Sequence, residues 1–199
     1  MNARTNMFLF IKKIISKFIR DKNWYWQNFG SIVSKRIILS NSAPACEQYT
    51  IVSGGGKLLI GTTCVFGFKL GGRHRNGSVE IQPRYKNARI IIGDNVLTNN
   101  NVFICAANYI EIGQNTLIGE GVTIMDHEAH GTQPNFRKEI GEIGEVKIEN
   151  NVWIGNNVMI LKNTFIGANT IVAAGAVVTG TLTANVIIGG IPAKVLKDL

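Results

Sequence analysis

From Ile148 onward the sequence repeats every six residues: IENNVW, IGNNVM, ILKNTF, IGANTI, VAAGAV and VTGTLT. The first positions, Ile148, Ile154, Ile160, Ile166, Val172 and Val178, are all Ile or Val. About one residue in five of the chain is Ile or Val, so six in register is roughly a 10⁻⁴ event per frame by chance. The fifth positions, Val152, Val158, Thr164, Thr170, Ala176 and Leu182, are mostly small or β-branched. A period of six is neither the 3.6 of an α-helix nor the alternation of a strand. It fits a triangular coil in which each hexad supplies one short strand and one corner. Three hexads close a turn of about 18 residues, and turns stack at the inter-strand spacing of about 4.8 Å. First-position aliphatics then form ladders inside the prism. Asn150, Asn151, Asn156, Asn157, Asn163 and Asn169 fall at the corners, where Asn tolerates left-handed backbone and caps its own chain. Gly155 and Gly167 follow the aliphatic and are expected to take positive φ.

The same frame runs earlier, with first positions at Ile92, Thr98 and Ile104, then Ile112, Ile118 and Ile124 after the two-residue insertion Ile110–Glu111. A fainter start shows at Ile60 and Phe66. Two stretches break it: GGRHRNGS at 71–78, and residues 130–147, an excursion before Ile148 resumes the frame. Long loops on a rigid scaffold often carry function. The expected fold is all-β, a parallel β-helix over 51–189. A basic amphipathic segment over 1–50 precedes it, and a closing segment over 190–199 follows.

Charge is uneven. Residues 1–40 hold eight Lys/Arg and one acid, residues 57–89 hold seven and one, and residues 90–199 hold six against ten. The largest single surplus sits on the N-terminal segment, which reads first as an interaction arm, whereas a nucleic-acid binder would more often put its basic stripe on the folded core. Within 7–20, Ile11, Ile14, Ile15 and Phe18 share one helical face, with Lys13, Lys17 and Arg20 opposite, and Trp24, Tyr25 and Trp26 follow. Residues 7–26 therefore read either as a helix in a membrane interface, with its aromatics at headgroup level, or as a helix packed on the protein's own body. The segment is too short and too charged to span a bilayer. Three scattered cysteines, Cys46, Cys64 and Cys105, form no disulfide framework and fit a reducing compartment. The expected location is cytoplasmic, with membrane contact peripheral and at the inner face.

With these motifs the chain resembles the hexapeptide-repeat acyltransferases, left-handed parallel β-helix enzymes that are generally trimeric and move an acyl group from coenzyme A to a hydroxyl or amine. The likeness covers roughly 57–199, with NVWIGNNV and IIGGIPAKVLKDL among its carriers. Within the family it is similar to the sugar O-acetyltransferases of the galactoside and maltose acetyltransferase type, including those that modify surface polysaccharides such as capsule, O-antigen or exopolysaccharide. The resemblance implies acetyl-CoA as co-substrate, a sugar or polysaccharide acceptor and a homotrimer. It places the catalytic base at His127 in MDHEAH and an acceptor contact at Asn99. Asp126 and His130, on either side of the base, are further acceptor candidates, and His130 reads equally as loop surface. The resemblance places coenzyme contacts at Trp153, Asn156, Ala174, Thr179, Lys194 and Lys197. The acidic acceptor ligand of the galactoside enzymes falls on Ala107 here, and a usual coenzyme Lys falls on Gly180.

Transfer from a thioester to a hydroxyl needs a base, and imidazole, with an unperturbed pKa near 6.5, suits the task. Asp126, Glu128 or a backbone carbonyl would orient the His127 ring, and a backbone N–H of a neighbouring coil would stabilise the oxyanion. No Ser or Cys stands in a nucleophile motif, so direct transfer without an acyl-enzyme is expected. Arg73, His74 and Arg75 read as a solvated basic loop or as an anion contact. Two rival readings are a γ-class carbonic anhydrase-like metal enzyme and a non-catalytic β-helix binding protein. The first needs three converging His and the second a regular Thr ladder. His74 lies far from His127 and His130 in sequence, and the coils lack Thr ladders, so no metal site is expected.

Overall fold

The computed structural model describes Trp24, Tyr25 and residues 27–199. The amphipathic reading of residues 7–20, and Trp26, lie outside the described residues. A short helix, α1 (Phe29–Val33), leads into the first coil of β1 (Ile37–Leu39), β2 (Ala45–Cys46) and β3 (Thr50–Val52). The second coil is β4 (Lys57–Ile60), β5 (Val65–Phe66) and β6 (Val79–Pro83). The third is β7 (Arg89–Ile92), β8 (Leu97–Thr98) and β9 (Phe103–Ala106). The fourth is β10 (Tyr109–Ile112), β11 (Leu117–Ile118) and β12 (Thr123–Met125). After the excursion come β13 (Glu145–Ile148) and β14 (Trp153–Ile154), then β15 (Met159–Ile166), β16 (Ile171–Val172), β17 (Val177–Leu182), β18 (Val186–Gly190) and β19 (Ala193–Asp198).

Every strand pairs in parallel with its counterpart one coil away, except β19, which folds back antiparallel on β18. The first face stacks β1, β4, β7, β10 and β13, the second β2, β5, β8, β11, β14, β16 and β18, and the third β3, β6, β9 and β12. β15 and β17 run straight through the third-to-first corner, so these two faces join into one 11-stranded sheet beside an 8-stranded one. The helix starts at Ile37, ahead of the boundary at 51 that the hexads suggested. Its first coil pairs in register with the second, Ile37 against Leu58 and Thr50 against Val79, although the hexad pattern has lapsed there.

The interior is built as the period requires. Ile148, Ile154, Ile160, Ile166, Val172 and Val178 are all buried, and so are the fifth positions Val152, Val158, Thr164, Thr170, Ala176 and Leu182. At about 25 cal/mol per Å² of apolar surface, these ladders are the main stabilising term. Trp24 packs into this core instead of facing a headgroup layer, and Tyr25 is half-buried.

The corners differ from expectation in two ways. Asn151, Asn157, Asn163 and Asn169 take left-handed backbone, but Asn150 and Asn156 do not. The Oδ1 atoms of those two accept from the backbone N–H of Gln114 and Glu120 in the preceding coil, at 3.1 and 2.9 Å. Gly155 and Gly167 also lack positive φ. They are glycine because the next coil presses on them. A Cβ at Gly155 would lie 2.7 Å from the Ala174 nitrogen, and one at Gly167 would lie 2.4 Å from the Ala184 nitrogen.

Candidate functional site

The three corners are not equivalent. First-to-second corners keep one length through five coils (61–64, 93–96, 113–116, 149–152 and 167–170), while third-to-first corners vary. They are 84–88 after β6, 107–108 after β9 and the long excursion 126–144 after β12. The chemistry gathers on that variable corner.

Asp126 and His127 open the excursion. Asp126 is fully buried and its carboxylate is saturated, so it orients His127 and is not the acceptor contact expected from sequence. Oδ1 accepts from the Ala107 N–H at 2.7 Å, and Oδ2 accepts from the Asn108 and Tyr109 N–H groups at 2.8 and 2.7 Å. The donors are the two corner residues Ala107 and Asn108 and the first residue of β10, so the extra length of this coil lies at the corner and not at Ile110–Glu111, which pair in register within β10. Oδ1 also meets His127 Nδ1 at 2.8 Å. A carboxylate only accepts, so the proton lies on Nδ1 and Nε2 carries the lone pair. Arg84 Nη1 then donates to Nε2 at 3.1 Å, and Arg84 Nε donates to Gln82 Oε1 at 2.8 Å. The side chain of His127 has no exposed surface.

The excursion returns as a narrow arm. Gly144 N–H donates to the Asp126 carbonyl, Glu128 N–H to Glu142, and Gly131 N–H to Glu139. Lys162 bridges Glu142 and Glu128 across its base. That hydrogen bond holds the Glu142 carboxyl below the usual carboxylate range and raises the Lys162 ammonium. His130 sits exposed on the arm, with Nδ1 2.7 Å from the Arg137 carbonyl oxygen. Beside the site, burial pushes the Cys105 thiol up to about 11, against the opposing pull of Arg84. It is a neutral donor to Gln82 Oε1 at 3.2 Å. Tyr109 is raised to about 12 by burial and by its hydrogen bond to Glu111.

The other residues singled out from sequence fall elsewhere. Asn99, Trp153 and Asn156 line one cleft of about 620 Å³ with Phe68, Leu97 and Leu117. It follows the second face and its corner with the third. Ala174 stacks below Gly155 on that corner, and Lys194 and Lys197 lie on β19, against Gly189 and Ile187 of β18. Thr179 lies on the variable corner inside β17. One chain therefore does not bring Asn99 to His127: they occupy opposite edges of the third face. Arg73 pairs with Glu120 at 3.4 Å, and His74 Nε2 lies 2.6 Å from the Glu47 carbonyl oxygen, so the 71–78 loop is stitched to the body. Arg84 was missed from sequence. It stands two coils before His127, in no motif, and only the stacking of corners makes them neighbours.

Residues 145–180 match the family described as bacterial transferase hexapeptide (six repeats). A putative lipopolysaccharide biosynthesis O-acetyl transferase, WbbJ, of Escherichia coli K12 is 37% identical over 118 residues, covering 54% of this chain and 60% of that protein. A hexapeptide-repeat acetyltransferase from Vibrio cholerae, solved with acetyl coenzyme A, is 35% identical over 55% of this chain and 60% of its own, with a TM-score of 0.52. An N-acyltransferase from Bacillus cereus, in complex with dTDP and coenzyme A, covers 86% of this chain and 89% of its own at 15% identity, with a TM-score of 0.63. That last likeness is one of fold. Repeat and coil together define a β-helix built on hexapeptide repeats. The chain is similar to acetyltransferases and spans about 60% of the length of the first two relatives.

Proposed function

We propose that the protein transfers an acetyl group from acetyl-CoA to a sugar hydroxyl, in the biosynthesis of a surface polysaccharide. The observation that carries this reading is the Asp126–His127 pair, in which a buried carboxylate holding three backbone N–H groups fixes the imidazole with its lone pair on Nε2, the atom that serves as base once the Arg84 guanidinium leaves it. In the step proposed, the acceptor hydroxyl gives its proton to Nε2 as its oxygen attacks the thioester carbonyl. The tetrahedral oxyanion is held by a backbone N–H. The C–S bond then breaks, and the imidazolium returns the proton to the coenzyme thiolate. The products are an O-acetyl sugar and free coenzyme A. Cys105 is neutral and buried, which supports transfer without an acyl-enzyme.

A homotrimer completes the site in this reading. A neighbouring copy would lay its Asn99–Asn156 cleft against the His127 corner, bringing its Trp153, Asn156 and Ala174 to the coenzyme while Thr179 lines the other wall. Lys194 and Lys197 would meet the nucleotide phosphates. Leu97, Leu117 and Trp153 form an exposed ladder on the second face, with Trp153 54% exposed, and burying that ladder would favour association. Among the described residues no helix is long and apolar enough to cross a membrane, and the peripheral membrane contact proposed for residues 7–26 excludes Trp24, which is buried in the core.

Thiol release from acetyl-CoA, read across a panel of sugar acceptors, tests the function, with His127→Ala as control. The variant should lose about 10²–10⁴-fold in kcat while binding coenzyme A and assembling normally, and His130→Ala should lose less, chiefly in acceptor KM. Retention of more than about a tenth of kcat by His127→Ala would remove the base from the scheme. A monomeric mass by light scattering would remove the shared site.

A further inference from the structure

Arg84 covers the atom that the proposed reaction needs. With Nδ1–H committed to Asp126, Nε2 of His127 has one lone pair, and the Arg84 guanidinium donates to it. The imidazole side chain has no exposed surface, so no hydroxyl reaches Nε2 until Arg84 moves. The corner stacked between the two residues is Ala107–Asn108.

The guanidinium is held loosely for a half-buried cation. Nε is fixed on Gln82, but no described carboxylate lies within ion-pair distance of Arg84. A neutral imidazole is a poorer partner for arginine than a carboxylate or phosphate, which takes two parallel charge-assisted bonds. The same corner continues in cations. Lys57, Lys86 and Arg89 are exposed, line a hollow of about 280 Å³ with Asn87 and Ala88, and form no ion pair with a described acid. The carboxylates on the approach are already engaged: Asp126 by its four partners, Glu145 by Lys147 and Glu111 by the Tyr109 hydroxyl.

We infer that Arg84 is the acceptor-recognition residue, and that the acceptor carries an anionic oxygen group, a carboxylate or a phosphate, close to the hydroxyl that is acylated. The anion draws the guanidinium off Nε2 and so uncovers the base only when such an acceptor is present. This rests on the reading of His127 as base.

The test uses the full chain without acetyl-CoA first. Galacturonate and glucose 6-phosphate are titrated calorimetrically beside galactose and glucose, with the His127 ring nitrogens followed by NMR. At least one anionic probe should bind about 10-fold or more tightly than its neutral partner, the low end of what one charge-assisted hydrogen bond contributes, and should shift the Nε2 signal. Galacturonate as the winner names a carboxylate, glucose 6-phosphate a phosphate. Arg84→Gln should remove the preference, and Arg84→Lys should keep part of it even if the Gln variant is destabilised. In turnover, Arg84→Gln should lower kcat/KM for the anionic acceptor at least about 10-fold more than for the neutral one. Equal binding of anionic and neutral probes, or parallel losses in Arg84→Gln and Arg84→Lys, would overturn the assignment. Arg84-dependent anion binding with no thiol release from any acceptor would instead sink the acetyltransferase reading and leave the anion site standing.

Discussion

Replacing Asp126 by Asn keeps the shape of the side chain and removes one acceptor. The carboxylate takes four hydrogen bonds, from the N–H groups of Ala107, Asn108 and Tyr109 and from His127 Nδ1. An amide can turn its NH₂ toward Asn108 and Tyr109, which strands two backbone donors. Turned toward Ala107 and His127, it strands one backbone donor, and the imidazole can move its proton to Nε2 and accept at Nδ1. The second arrangement costs less. One orphaned buried N–H, with weakening of the remaining bonds as the charge is lost, comes to about 3 kcal/mol. For a chain of this size that is a fall in Tm of about 6–12 °C. The same rearrangement points an Nε2–H at the Arg84 donor, so no base remains. The analogous Asp-to-Asn exchange in the Ser-His-Asp triad costs about 10⁴-fold through the wrong tautomer, and a loss of about 10²–10⁴-fold in kcat is expected here. Thermal melting at matched protein concentration, with thiol release at saturating acetyl-CoA, reads both effects. An Asn variant melting within about 2 °C of wild type would show that the three N–H bonds do not carry the site. One that kept more than about a tenth of kcat would show that the tautomer does not matter.

Gly155→Ala should destabilise by about 1–3 kcal/mol, since its Cβ meets backbone atoms of the next coil, whereas Gly175→Asn should be tolerated because that φ is positive with open space around it. Denaturant titration of both variants separates close approach from backbone conformation, and equal losses would refute the distinction. Cys46, Cys64 and Cys105 are buried, and Cys105 is pushed up to about 11, so Ellman's reagent at pH 8 should react only after unfolding; prompt reaction of the native protein would contradict that burial. A spectrophotometric titration should find the Tyr109 phenol ionising near 12. Because the unfolded phenol loses its proton first, the stability linked to it should fall as pH rises from 10 toward 12, and an unchanged stability across that window would count against it.

The coil was legible because its interior repeats: a buried aliphatic at the first position and a small or β-branched residue at the fifth leave a signal that no other fold produces. The signal fades in the first coil, where Gln48 and Thr50 are buried on hydrogen bonds instead of aliphatics, and β1 to β3 were therefore missed. Position His127 was legible because the repeat stops beside it. Its environment was legible only in part: Asp126 was among the orienting groups expected, and Arg84 was not. Arg84 reaches it across two coils, and such contacts depend on how corners superpose, a three-dimensional property that the hexad frame records only as a remainder. The corner residues show the same limit. Asn150 and Asn151 are identical neighbours in sequence, yet one reaches to the preceding coil and the other bends its own backbone.

Thr63, Asn95, Asn115, Asn151, Asn169 and Asn185 hold the left-handed backbone of the first-to-second corners in successive coils, and Asn side chains bond one to the next, Asn151 to Asn169 at 2.9 Å and Asn169 to Asn185 at 2.7 Å. This edge works as a spine. An extra residue inserted there would displace the amides above and below together, so after the first coil, whose corner 40–44 is one residue longer, the large variations in length fall on the other two edges. Those are the edges that carry the excursion and the 71–78 loop. One edge of the prism can then be remodelled while the Asn edge keeps the later coils in step.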